Sequence, residues 1–196
     1  MNNKLPITKF PVTRWWWIRH APVTSNQGRL YGNSDMPAEI DSPKEFSALA
    51  RLLPENAICV HSSLQRSKQT LDAIVGAGLA SPDPLVEPGL SEQNFGDWQG
   101  QPYADIPALA APHHRRFWFT TVDHCPPGGE SYIDLTHRVA GVIDRLTEAH
   151  PGRNIIAVAH GGPIRAALGH ALGLPPSDCL GFETENLSIT RIDHEP

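Results

Sequence analysis

Long apolar runs are missing from this chain, and no stretch approaches the roughly 20 residues a membrane-spanning helix requires. Cysteine is scarce. Cys59, Cys125 and Cys179 are odd in number, far apart and without a CxxC spacing, which excludes a disulfide scaffold and a structural zinc knot and predicts a reducing compartment. Positive charge is also short, with a formal net charge of −5, so nucleic acid and anionic membranes are poor partners. His113-His114, His124 and His137 lack the helical pair with an intervening glutamate that zinc hydrolases use. Internal repeats and long linkers are absent, and MNNKLPITKF at the N-terminus has no apolar leader core. The expectation from these absences is a cytoplasmic protein without a metal or other cofactor.

What remains is globular. At 196 residues and 40% hydrophobic content, residues 1–196 suffice for one domain with its own core. Short apolar runs alternate with helical patterns, which predicts an α/β domain with a largely parallel sheet. Strands are expected at Arg14–Ile18, Ala57–Val60, Leu85–Glu87 and Asn154–Ala159, with a final edge strand at Leu187–Ile192. Helices are expected from Leu64 to Val75, stopped by Gly76 and Gly78, and from Tyr132 to His150. Another follows His160-Gly161-Gly162, with Pro163 suited to a first helical position. Ser131 and Asp134 have the spacing of a capping box. Residues 101–127, rich in Pro, His, Arg and aromatics, break the rhythm and read as an insertion.

Ligands of open α/β sheets collect beyond the carboxyl ends of strands. Arg19-His20, His61-Ser62 and His160 all fall at such ends. Singly, none decides a function. A histidine at a strand end is commonly a structural residue, and His160-Gly161-Gly162 serves equally as a plain strand-to-helix turn or as an anion-binding helix start. Arg66 in SSLQRSKQT also fits a solvated helix face, and Glu92 in LSEQNFGDWQG fits a solvated loop.

Together and in order, these pieces carry more. IRHAPVTSN resembles the RHGxxxxN signature of the histidine phosphatase superfamily, the phosphoglycerate-mutase-like proteins, with Asn26 at the matching offset. SSLQRSKQT, LSEQNFGDWQG, PPGGES and AVAHGGPIR are similar to the later motifs of its phosphatase branch. The resemblance spans residues 14 to about 170. It implies a three-layer sandwich, a mostly parallel central sheet flanked by helices. One departure stands in the first motif, where Ala21-Pro22 replace the usual glycine; alanine fits only if φ stays negative.

The resemblance also implies roles. His20 is the nucleophile that forms phosphohistidine, with its second ring nitrogen fixed by a backbone carbonyl. Arg19 and Arg66 hold the phosphoryl oxygens through guanidinium forks that never lose their charge. Asn26 adds a neutral donor, His160 a donor that favours the transition state, and Glu92 is the general acid for the leaving oxygen. The implied partner is a small phosphorylated metabolite, with α-ribazole 5'-phosphate one candidate. Phosphoglycerate-mutase-type transfer and a non-catalytic phosphoryl-binding regulator are the alternatives. Residues 101–127 would lie over the site as a lid by the same analogy, presenting His114 to Phe119 to substrate or packing them on the domain.

Overall fold

The computed structural model describes residues 11–80, 83–106 and 121–194. Five strands form one sheet: β1 (Thr13–Arg19), β2 (Ile58–His61), β3 (Leu85–Val86), β4 (Asn154–Ala159) and β5 (Ile189–His194). Their order is β3-β2-β4-β1-β5. All neighbours are parallel except β5, which pairs antiparallel with β1 at the edge. The main helices are α1 (Pro43–Leu52), α2 (Gln65–Gly76), α3 (Tyr132–Ala149) and α4 (Gly161–Leu172), followed by the short α5 (Pro176–Cys179).

Alternation along the strands sorts side chains into two cores. Trp15, Trp17, Ile155, Ala157 and Ala159 pack with Leu135, Val139 and Ile143 of α3 and Ile164 and Ala167 of α4. Ile18, Cys59, Ile156 and Val158 face the other way, onto Phe46 and Leu49 of α1 and Leu71 and Ile74 of α2. The result is the three-layer α/β arrangement expected. The tryptophan run follows the same rule. Trp15 and Trp17 share a face, stack with centroids 5.0 Å apart and are fully buried, whereas Trp16 turns to the opposite face, half-buried.

Three details differ from the sequence expectation. Helix α1 was not anticipated, although Ser42-Pro43 start it and Phe46, Leu49 and Leu53 recur at helical spacing on its buried side. The last strand begins at Ile189 rather than Leu187, because Leu187 adopts φ +61 and cannot continue an extended run. Pro163 is the third residue of α4, not its first. It is tolerated there because the N–H groups of a first turn have no partner within the helix. The capping box of α3 forms as expected, with Asp134 N–H donating to Ser131 Oγ and Ser131 N–H to the Asp134 carboxylate.

Candidate active site

Strands β2, β4 and β1 are neighbours and parallel, so the residues after them meet at one edge. His160 follows β4 and lies between Ser62, after β2, and His20, after β1. The two imidazoles sit with centroids 5.0 Å apart, both buried.

His20 Nδ1 lies 2.6 Å from the Ala21 carbonyl. A carbonyl only accepts, so Nδ1 carries the proton and Nε2 keeps its lone pair. Burial, the Arg66 charge and then the Arg19 charge push the imidazole pKa down from 6.5 to about 3, against the raising effect of the Ala21 carbonyl. The ring is therefore neutral at pH 7 and presents an unprotonated Nε2. Ala21 itself, fully buried, is not among the residues with positive φ, and its N–H donates to Thr70 Oγ1 at 2.9 Å. The replacement of glycine is thus accommodated.

Arg66 is fully buried and bonds in three directions. Nη1 and Nη2 donate to the carbonyls of Ser34 and Gly32 at 2.7 and 2.6 Å, and Nε donates to His160 Nδ1 at 3.1 Å. Because a guanidinium is always a donor, His160 Nδ1 must accept, and its proton resides on Nε2. Nε2–H points to Ser62 Oγ at 2.7 Å, whose hydroxyl continues to Ser67 Oγ at 2.8 Å, which donates to the Leu64 carbonyl at 2.8 Å. Both ring nitrogens of His160 are engaged in this arrangement. Burial, then the His20, Arg66 and Arg138 charges, holds His160 well below the ordinary histidine pKa.

Glu92 reaches the start of α4. Its Oε1 accepts the Gly162 and Gln93 N–H groups, each at 3.1 Å. A Cβ on Gly162 would collide with that carboxylate, so the second glycine of His-Gly-Gly is what admits Glu92. The same carboxylate borders an open polar depression of about 370 Å³ with Asn33, Ser63, Asn94 and Arg138. Tyr103, half-exposed, lies in the field of Tyr31, Glu92 and Arg19, though burial is the main cause of its raised phenol pKa.

Glu130 belongs to the support instead. It holds Arg138 through both oxygens, at 2.7 and 2.9 Å, and accepts the Asn94 N–H at 2.9 Å. Arg138 in turn donates to the carbonyls of Gly89 and Glu92. Asn26 closes a turn, its Nδ2 donating to the Arg29 carbonyl at 3.0 Å. No hydrogen bond among the described residues ties Asn26 to His20, Arg66 or His160. The aromatic segment around Trp118 lies outside the described residues.

Sequence reading missed a bracket formed by residues 182–188. Thr184 O accepts Arg19 Nη1 at 2.6 Å, Phe182 O accepts Arg165 Nε at 2.7 Å, and Asn186 Nδ2 donates to His20 O at 2.7 Å. Leu187 N–H donates to Arg19 O at 2.9 Å. A positive φ at a non-glycine residue, Leu187, marks this segment in the backbone, and no spacing rule reveals it from sequence. Arg19, Arg66 and Arg165 bring three guanidiniums into the neighbourhood of Glu92, a local concentration of positive charge in a chain whose net charge is −5.

The sequence profile of the histidine phosphatase superfamily (branch 1) matches residues 15–196. The chain belongs to this superfamily. A glucosyl-3-phosphoglycerate phosphatase of Mycolicibacterium vanbaalenii is 32% identical over 175 residues, covering 84% of this chain and 76% of that protein. A bifunctional protein of Mycobacterium tuberculosis is 31% identical over 164 residues, or 82% of this chain, but the match spans only 44% of that longer protein. Among solved structures, a putative α-ribazole-5'-phosphate phosphatase of Escherichia coli superimposes with TM-score 0.76 at 25% identity, covering 92% of this chain and 90% of that one. No helix among the described residues of this superfamily member is long and apolar enough to cross a membrane.

Proposed function

We propose that this chain is a cytoplasmic phosphomonoesterase that hydrolyses a small phosphorylated metabolite through a phosphohistidine on His20. One observation carries the reading: His20, neutral and tied through Nδ1 to the Ala21 carbonyl, keeps an unprotonated Nε2 inside an arginine-rich cleft.

In the first step Nε2 attacks phosphorus as the P–O ester bond breaks, and Glu92, protonated, gives its proton to the leaving oxygen. In the second, Glu92 takes a proton from the water that attacks phosphohistidine, and inorganic phosphate leaves. Arg19 and Arg66 neutralise the phosphoryl charge and align it, the main task in a loose phosphoryl-transfer transition state. Arg66 has two N–H groups beyond the three already used, and Asn26 has a second amide hydrogen to offer. His160 Nε2–H exchanges Ser62 for a phosphoryl oxygen as the transition state forms. The similarities to α-ribazole and glucosyl-3-phosphoglycerate phosphatases make α-ribazole 5'-phosphate and phosphorylated glycerates the first substrates to screen.

The test is hydrolysis of p-nitrophenyl phosphate by the wild type and His20→Ala, with acid-quenched trapping of a ³²P-labelled protein. The expected result is an acid-labile label on the wild type that is absent from the variant. Label persisting in His20→Ala would place the nucleophile elsewhere.

A further inference from the structure

Arg66 takes its orientation from a tight turn, and that turn is held from outside. Residues 31–34 close through Ser34 N–H, which donates to the Tyr31 carbonyl at 2.7 Å. Arg66 lies against three parts of the turn. Its guanidinium carbon stands 5.1 Å from the Tyr31 ring centroid, Nη2 donates to the Gly32 carbonyl and Nη1 to the Ser34 carbonyl.

The Gly32–Asn33 peptide is the central one of this turn. A closing bond joins only the outer residues, and turn types that share it differ in which way the central peptide faces. Gly32, at φ +44, has the positive φ common to types I′ and II′. Closure at Tyr31 and Ser34 therefore does not decide whether the Gly32 carbonyl points to Arg66 or away from it.

Gln99 supplies the hold that decides it. A peptide unit is planar, so fixing its N–H also fixes its carbonyl. Asn33 N–H donates to Gln99 Oε1 at 2.9 Å, and the Gly32 carbonyl of that same peptide accepts Arg66 Nη2 at 2.6 Å. Phe95 N–H reaches the same Gln99 atom at 3.3 Å, and two donors require that the side-chain oxygen face them. Gly32 leaves room for this contact: a Cβ there would stand 2.6 Å from Gln99 Oε1 and 2.7 Å from the Gln93 carbonyl. Gln99 is itself fixed, half-buried after the one-turn helix Gly96–Trp98, with its N–H on the Gly96 carbonyl at 3.0 Å. From Arg66 through the peptide to Gln99 every link runs donor to acceptor, so each hydrogen bond polarises the next.

We propose that Gln99 is a positioning residue for phosphoryl recognition: its side-chain oxygen locks the Gly32 carbonyl toward Arg66 and so aims the remaining guanidinium N–H groups at the phosphoryl group. This role rests on the phosphomonoesterase reading for the task of Arg66. Without the lock the peptide turns over, sets the Asn33 N–H against a cation and frees the fork to rotate.

The probes are inorganic phosphate, titrated calorimetrically, and p-nitrophenyl phosphate, both on the full chain. Gln99→Met keeps the length and loses the acceptor, whereas Gln99→Glu keeps an oxygen. One hydrogen bond is worth up to about tenfold in an equilibrium, so Gln99→Met should raise the Kd for phosphate and lower kcat/KM by about tenfold. Gln99→Glu should stay within about threefold of the parent. In an Arg66→Met background the Gln99→Met effect should shrink below about twofold, since no fork is left to aim. A loss that persists there comes from the fold at large and overturns the proposal. Arginine side-chain ¹⁵N spectra give a reading that needs no second substitution: a fixed fork shows separate Nη signals, and a rotating one merges them. Separate Arg66 signals are expected in the parent and Gln99→Glu, and merged ones in Gln99→Met. Separate signals or parent-like affinity in Gln99→Met, or an equal loss in Gln99→Glu, overturns the lock. Phosphate affinity that follows this pattern without turnover sinks the phosphatase reading alone; turnover unaffected by Gln99→Met sinks the lock alone.

Discussion

Glu92 docks its carboxylate on the Gly162 backbone N–H at 3.1 Å, joining the loop after β3 to the first turn of α4 beside His160. The Gly162 N–H fixes the position of the carboxyl group, and the glycine makes room for it. General-acid work therefore depends on proton delivery at a spot fixed by backbone. Glu92→Gln keeps an oxygen for the Gly162 N–H but has no proton to transfer, so kcat is expected to fall by about 10²–10⁴-fold. Affinity for inorganic phosphate should persist. Stopped-flow turnover beside phosphate titration checks this, and unchanged kcat would remove Glu92 from the mechanism.

Gly162→Ala tests the same contact from the other side. The new methyl meets the Glu92 carboxylate and lies 3.1 Å from Leu135 Cδ1. Overpacking of this kind costs about 1–3 kcal/mol. Urea unfolding should show that loss, with kcat reduced toward the Glu92→Gln value. Wild-type activity in this variant would mean Glu92 has no fixed station.

Arg138 holds the Glu92 loop in place through Glu130, Gly89 and Glu92 itself. Arg138→Met is expected to destabilise the fold by on the order of 2 kcal/mol, since hydrogen bonds to a charged group are lost together. Hydrogen exchange should quicken across residues 89–95, with kcat falling more than KM rises. Protection there equal to that of the wild type would argue against the brace.

Histidine burial ties stability to pH. His20 and His160 have folded pKa values far below the ordinary 6.5. Between about pH 6.5 and 3 the unfolded chain binds a proton that the folded His20 ring refuses, and His160 acts in the same direction, so stability declines as pH falls. His20 contributes a slope on the order of 1.4 kcal/mol per pH unit. Urea midpoints at pH 7.5 and 5 should converge less for the wild type than for His20→Asn, whose dependence is shallower. Parallel curves would mean that His20 titrates normally in the folded protein.

Positive charge reaches His20 from Arg66 and Arg19, so phosphoryl stabilisation is assigned to guanidiniums. EDTA is expected to leave p-nitrophenyl phosphate turnover unchanged. A large loss restored by a divalent cation would contradict that assignment.

By itself the sequence determined the strand ends and their polar residues. Its expected strand at Asn154–Ala159 coincides with β4, because five consecutive apolar residues bounded by His-Gly-Gly leave little choice of structure. Spaced motifs also marked His20, Arg66 and His160, which tertiary structure brings into contact. Helix α1 was legible in principle, from its start signal and apolar spacing, and was passed over. Only the tertiary structure decided the tautomers of His20 and His160, the docking of Glu92 on Gly162 and the use of Glu130 to hold Arg138. It alone decided the bracket of residues 182–188 as well. The reason is physical: these contacts join groups such as Asn186 and His20, 166 residues apart, and periodicity reports which way a side chain faces but not which distant partner meets it.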